Sequence, residues 1–113
     1  MLLTLDPADR RSLHEQVASA LRRAIADGAA PERLPTARDI ATALDVNPNT
    51  VLRALRDLRD EGLLEFRRGR GIRVAADAVA RGSLIDRARD LVRDAERMGV
   101  HRAELIRLIE EIS

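Results

Sequence analysis

The stretch VNPNTVLRALRDLRDEG, residues 46–62, decides how this chain folds. Asn47 is a good N-cap, because its side-chain oxygen can accept from an orphan amide of a first helical turn. Pro48 follows at the first helical position, where its missing N–H costs nothing, and Gly62 supplies a stop. Between these marks Val51, Leu55 and Leu58 recur at helical spacing and form one apolar stripe. Asn49, Arg53, Arg56 and Asp60 form a polar stripe on another side. A helix with one buried face and an Asn/Thr/Arg set at its N-terminal end has the shape of a DNA-reading element. Asn pairs bidentately with adenine and Arg with guanine in the major groove, and in helix-turn-helix proteins the second helix makes those contacts from its N-terminal end. The plain alternative is a solvated surface helix with Arg53 and Arg56 loosely paired to Asp57 and Asp60, so the flanks decide.

Upstream, Thr36 caps a short helix with Asp39 in the capping-box position, and Ile40, Ala41 and Leu44 face inward. Asp45-Val46 forms a tight turn into the Asn47 helix. Two short helices so joined make a helix-turn-helix. Downstream, Leu64 and Phe66 alternate with Glu65 and Arg67, and Ile72 and Val74 flank Arg73, on either side of Arg68-Gly69-Arg70-Gly71. This period-two pattern around a Gly-rich turn predicts a β-hairpin. A hairpin in this place is a wing, and Arg68 and Arg70 at its tip suit the minor groove and phosphates; a generic charged hairpin is the alternative.

The outer segments read as support. Asp6-Pro7 disfavours helix at Asp6, and residues 1–11 read as an extended lead-in. Ser12 with Glu15 forms a capping box for a helix in which Leu13, Val17, Leu21 and Ile25 step by fours until Gly28. AAPERLP, 29–35, reads as a loop bounded by prolines. Small residues after the hairpin read as a linker. Ser83, with Asp86, then caps a long helix to about Met98 carrying Leu84, Ala88, Leu91 and Ala95 in a four-three rhythm. Gly99 separates it from a last helix, about His101 to Ile112, with Leu105, Leu108, Ile109 and Ile112 apolar. Neither stripe of this αα-hairpin can be buried alone, and the economical solution is the same hairpin of a second copy, giving a two-fold dimer. The predicted fold class is therefore mostly α with a small β-hairpin: a winged helix-turn-helix domain, 1–75, a linker, 76–82, and a two-helix dimerisation hairpin, 83–113.

Composition agrees with one small domain and an appendage. The chain has 113 residues, a single aromatic side chain (Phe66) and no cysteine, which favours an aliphatic helical core and removes disulfides and thiolate chemistry. Net charge is only +1, but residues 47–74 hold seven Arg against four acids, whereas the flanking segments are near balance. Every basic residue is Arg. No apolar run approaches membrane-spanning length, and the apolar part of MLLTLDPADRR is too short for a secretory signal, so a cytoplasmic location is expected.

The run LPTARDIATALDVNPNTVLRALRDLRDEGLLEFRRGRGIRV resembles the winged helix-turn-helix of GntR-type bacterial transcription regulators. That family shows Leu-Pro-Ser/Thr-x-Arg, a helix, Val-Asn-x-x-Thr-Val, Glu-Gly-Leu and Arg-Gly-x-Gly in this order, and the match spans about residues 12–74. Asn-Pro-Asn-Thr and the short helical tail are similar to the YtrA branch. The resemblance implies a homodimeric DNA-binding regulator, commonly a repressor of genes for transporters of the ATP-binding-cassette type, without a large ligand-binding domain. It implies DNA contacts at Arg38, at Asn47, Asn49, Thr50 and Arg53, and at Arg68, Gly69 and Arg70. His14, Leu55 and Arg73 depart from the aromatic, Tyr and Phe common at their places in the family.

Other chemistry finds little support. His14 and His101 lie far apart, and a metal site would need both to meet carboxylates. Gly69-Arg70-Gly71 lacks the Lys-Ser/Thr and helix start of a phosphate-cradling loop. No catalytic constellation is legible, so no enzyme and no cofactor are expected. The tail is too short to enclose a usual ligand pocket of about 300–1,000 Å³; an effector would bind between subunits or between tail and winged domain, and the sequence identifies none. A protein–protein interaction module without specific DNA binding remains the alternative to a DNA-binding regulator.

Overall fold

The computed structural model describes residues 1–113. Its elements are α1 (Leu13–Ala26), α2 (Ala37–Leu44), α3 (Pro48–Asp60), β1 (Leu64–Arg67), β2 (Gly71–Val74), α4 (Ala78–Arg97) and α5 (Arg102–Ile112). The chain divides into two compact units, residues 1–83 and 84–113.

In the first unit the predicted stripes become the core. Val17, Leu21 and Ile25 of α1 meet Val51, Leu55 and Leu58 of α3, with Ile40 and Ala41 of α2 alongside. Burying each such side chain contributes about 1.5–3 kcal/mol. Leu63 and Leu64 close the base of the hairpin, while Phe66 stays partly exposed beneath the Arg59 guanidinium, 4.9 Å from its ring centroid. Thr36 Oγ1 accepts from the Asp39 amide and Asn47 Oδ1 from the Asn49 amide, as the capping patterns predict. Gly62, at φ +81°, ends α3, and the Leu63 amide bonds back to the Leu58 carbonyl, the Schellman arrangement that satisfies terminal carbonyls.

The hairpin pairs Leu64 with Val74, Glu65 with Arg73, Phe66 with Ile72 and Arg67 with Gly71. Arg73, where the family commonly has Phe, is accommodated by an ion pair with Glu32 at 3.4 Å.

Three expectations are corrected. Ser12 occupies the N-cap of α1 without a side-chain cap bond; its hydroxyl lies 3.1 Å from His14 Nδ1 instead. Gln16 holds the helix entrance by donating to the Arg11 and Asp9 carbonyls. Residues 29–35 are more than a loop: the Val74 amide donates to Glu32 O at 2.8 Å and the Leu34 amide to Ile72 O at 2.9 Å, forming an antiparallel bridge between Arg33 and Arg73. Pro31 and Pro35 lack the N–H needed to extend it, which leaves no strand pattern to read. Finally, α4 begins at Ala78, so Ser83 lies inside the helix and the linker of 76–82 shrinks to a turn. Alanine is the strongest helix former, Ala78 is fully buried, and Asp77 pairs with Arg81 at 3.0 Å. That hydrogen bond also holds the Asp77 carboxyl below its ordinary range. The division between units thus falls within α4, not in a linker.

The second unit is an αα-hairpin. Gly99, at φ +74°, makes the turn, and the Val100 amide bonds to the Ala95 carbonyl at 2.8 Å. Ala95 and Leu105 are its buried side chains. No helix of the chain is long and apolar enough to cross a membrane.

Candidate nucleic-acid interface

The N-terminal end of α3 presents the predicted set. Asn49 and Arg53 are exposed and Thr50 is half-buried. With Leu13 and His14 they line an open cleft of about 290 Å³. Asn47 differs from the others: its oxygen is spent on the cap, so only its amide N–H groups are left to donate outward. Arg38 is exposed in the first turn of α2, and Arg68, Gly69 and Arg70 are exposed at the hairpin tip. The Arg70 amide bonds to Arg67 O at 2.9 Å and Gly69 takes φ +74°, a left-handed backbone that glycine adopts without strain.

Charge distribution separates two kinds of arginine. Arg11, Arg22, Arg59, Arg67, Arg73 and Arg81 each pair with a carboxylate of this unit. Arg38, Arg53, Arg56, Arg68 and Arg70 have no such partner. The pairing of Arg53 and Arg56 with Asp57 and Asp60 that the alternative reading supposed does not form: Asp60 goes to Arg59, and Asp57 lies 4.0 Å from His14 Nε2. The positive charge of α2, α3 and the wing tip is therefore available to an external anion, and phosphate is the anion that dominates nucleic-acid affinity.

Sequence reasoning missed Arg33, Leu13 and His14. Leu13 and His14 were read only as part of the α1 stripe and its neighbour, and the cleft beside α3 appears only when α1 packs across it. Arg33 lay in an apparent loop. Of the residues expected to dimerise, Ala95 and Leu105 are buried within the tail's own hairpin, while Leu84, Ala88, Leu91, Leu108, Ile109 and Ile112 remain exposed. Leu84 is 67%, Leu108 50% and Ile112 78% exposed.

Three helices, the third a polar-faced recognition helix, followed by a two-stranded wing define a winged helix-turn-helix protein. Residues 13–74 match the family described as bacterial regulatory proteins, gntR family. The chain is 30% identical over 120 aligned positions to the HTH-type transcriptional repressor YtrA of Bacillus subtilis, covering 99% of this chain and 92% of that protein. Among solved structures it resembles a GntR family transcriptional regulator from Listeria monocytogenes, with TM-score 0.63 and 20% identity over 93% of this chain and 98% of that one. It also resembles YtrA from Sulfolobus acidocaldarius, a GntR-family transcription factor, with TM-score 0.62 and 26% identity over 81% of this chain and 99% of that one. The chain belongs to the GntR family of transcription regulators: it is a DNA-binding protein and not an enzyme.

Proposed function

We propose that this regulator is a cytoplasmic repressor that binds a palindromic operator as a homodimer and controls transporter genes. The observation that carries the reading is the exposed Asn49, Thr50 and Arg53 on α3, flanked by Arg38 and the wing arginines, with no internal carboxylate neutralising Arg53. The exposed apolar face of the tail supports a second copy as its cover, and two-fold symmetry in the protein calls for a two-fold operator. Transporter control rests on the resemblance to the YtrA branch. Asn49 and Arg53 are assigned to base edges, Thr50 to base or phosphate, and Arg38, Arg68, Gly69 and Arg70 to the backbone. Asn47 contributes through the cap and its remaining N–H groups.

The test is a mobility-shift titration against DNA upstream of the protein's own gene, with competitor and at two salt concentrations. A discrete shift that survives competitor is expected, with footprints in two half-sites one helical turn or a multiple apart. Arg53→Ala should cost about 1–3 kcal/mol of operator binding, about five- to 150-fold, while sedimentation shows an unchanged dimer. Binding that vanishes with competitor would leave only non-specific attraction and overturn the operator reading.

A further inference from the structure

We propose that Arg33 is an additional phosphate anchor of the DNA-binding face, seated along the β2 edge of the wing. The inference rests on the DNA-binding reading above and adds to it a residue that neither the local sequence nor the family motif marks.

The bridge to β2 places the backbone. With Glu32 O accepting from Val74 and Leu34 donating to Ile72, Arg33 stands directly opposite Arg73. Its guanidinium lies over Gly71: a methyl group on Gly71 would come within 3.1 Å of Nε and 3.3 Å of Nη2. Gly71 thus serves the wing twice, by its φ of +73° and by leaving room for this side chain. Arg33 is exposed and without a carboxylate partner. It is bridged to β2, whose first residue follows Arg70, and lies three residues before the α2 cap at Thr36, with Arg38 just beyond. It joins the two groups of expected backbone contacts into one basic surface.

The energetics point the same way. Like charges directly opposite on neighbouring strands are destabilising. Glu32 offsets Arg73 at 3.4 Å, and the charge of Arg33 is left uncompensated. An exposed arginine beside the wing, with no carboxylate partner, is suited to an external anion. The guanidinium fork matches phosphate oxygens.

The experiment compares Arg33→Ala and Arg33→Lys with the wild type in salt titrations of binding to the upstream DNA and to a mixed-sequence duplex, alongside thermal melts. Arg33→Ala should weaken both complexes by roughly eightfold or more near 0.1 M salt and flatten the slope of log K against log salt by about one per protomer. Its melting temperature should not fall. Arg33→Lys should keep most of the slope. Gly71→Ala, which retains the charge and displaces it, should also weaken binding. If Arg33→Ala keeps the wild-type slope while Arg70→Ala loses it, or if its melting temperature falls with the slope unchanged, Arg33 is only a structural part of the wing and the proposal is overturned. If Arg33→Ala, Arg70→Ala and Arg53→Ala all leave binding untouched, the DNA-binding face itself has been misassigned.

Discussion

Leu108→Glu combined with Ile109→Glu is expected to turn the proposed dimer into a monomer and weaken operator binding by roughly 10²–10⁴-fold, the gain that linking two half-site contacts supplies. Both side chains lie on α5 and are about half exposed in the isolated chain. Together with Leu84, Leu91 and Ile112 they leave more apolar surface than a lone αα-hairpin can bury against itself. Covering that face with a second copy removes it from water at about 25 cal/mol per Å². Two carboxylates in its middle cannot be desolvated without a large cost. Glutamate is a good helix former, and Leu105, which is buried within the hairpin, is left in place, so α5 itself should persist. Sedimentation equilibrium reads the oligomeric state, circular dichroism the helix content, and the mobility shift the affinity. A variant that stays dimeric would place the interface elsewhere. A monomer that still holds the full operator tightly would remove the need for two-fold symmetry.

Arg22→Ala should destabilise the winged unit by about 3–5 kcal/mol, enough to lower its melting temperature by roughly 15 °C or more. Arg22 is almost fully buried and forms a forked contact with Glu61: Nη2 donates to Oε1 at 2.8 Å and to Oε2 at 3.1 Å, and Nε to Oε2 at 3.2 Å. Truncating the arginine takes the forked partner away from a partly buried carboxylate, and the desolvation cost that this contact offsets sets the size of the effect. Replacing both partners together, as Arg22→Met with Glu61→Leu, should recover part of the stability, because it removes both charges of this pair at once. The location adds a functional consequence. Glu61 is the C-cap of α3 and precedes Gly62, so this pair ties α1 to the joint between recognition helix and wing. Thermal melts followed by circular dichroism check the single and double variants. A single variant that melts within a degree or two of wild type would show that the pair contributes little.

Much of the fold was legible because it is written in local patterns. The Val51/Leu55/Leu58 stripe, Asn47 followed by Pro48, and Thr36 with Asp39 each involve residues within one or two turns, and each works in the structure much as local chemistry predicts. The hairpin was legible from alternation around Gly69 and Gly71. Errors arose where a local signal had a competitor. Ser12 can cap α1, but His14 two residues on takes its hydroxyl. Ser83 with Asp86 spells a helix start, yet Ala78 is drawn into the core and Asp77 pairs with Arg81, so the helix starts earlier.

By itself, then, the sequence determined which faces of α1, α2 and α3 are apolar, where α2 and α3 begin, the existence of the wing, and the motif order that identifies the family. These depend on residues near one another along the chain, where helical and strand periods translate spacing into direction. Only the tertiary structure decided which charges are spent and which are free. Arg22 finds Glu61 39 positions away, Arg73 finds Glu32, and Asp60 takes Arg59, so Arg53 and Arg56 keep their charge. The same holds for Arg33, brought to Gly71 by a bridge too short to leave a pattern. Pairing between distant segments, as in Arg22 with Glu61 and Arg73 with Glu32, is settled by distance through space, and no spacing along this chain encodes it.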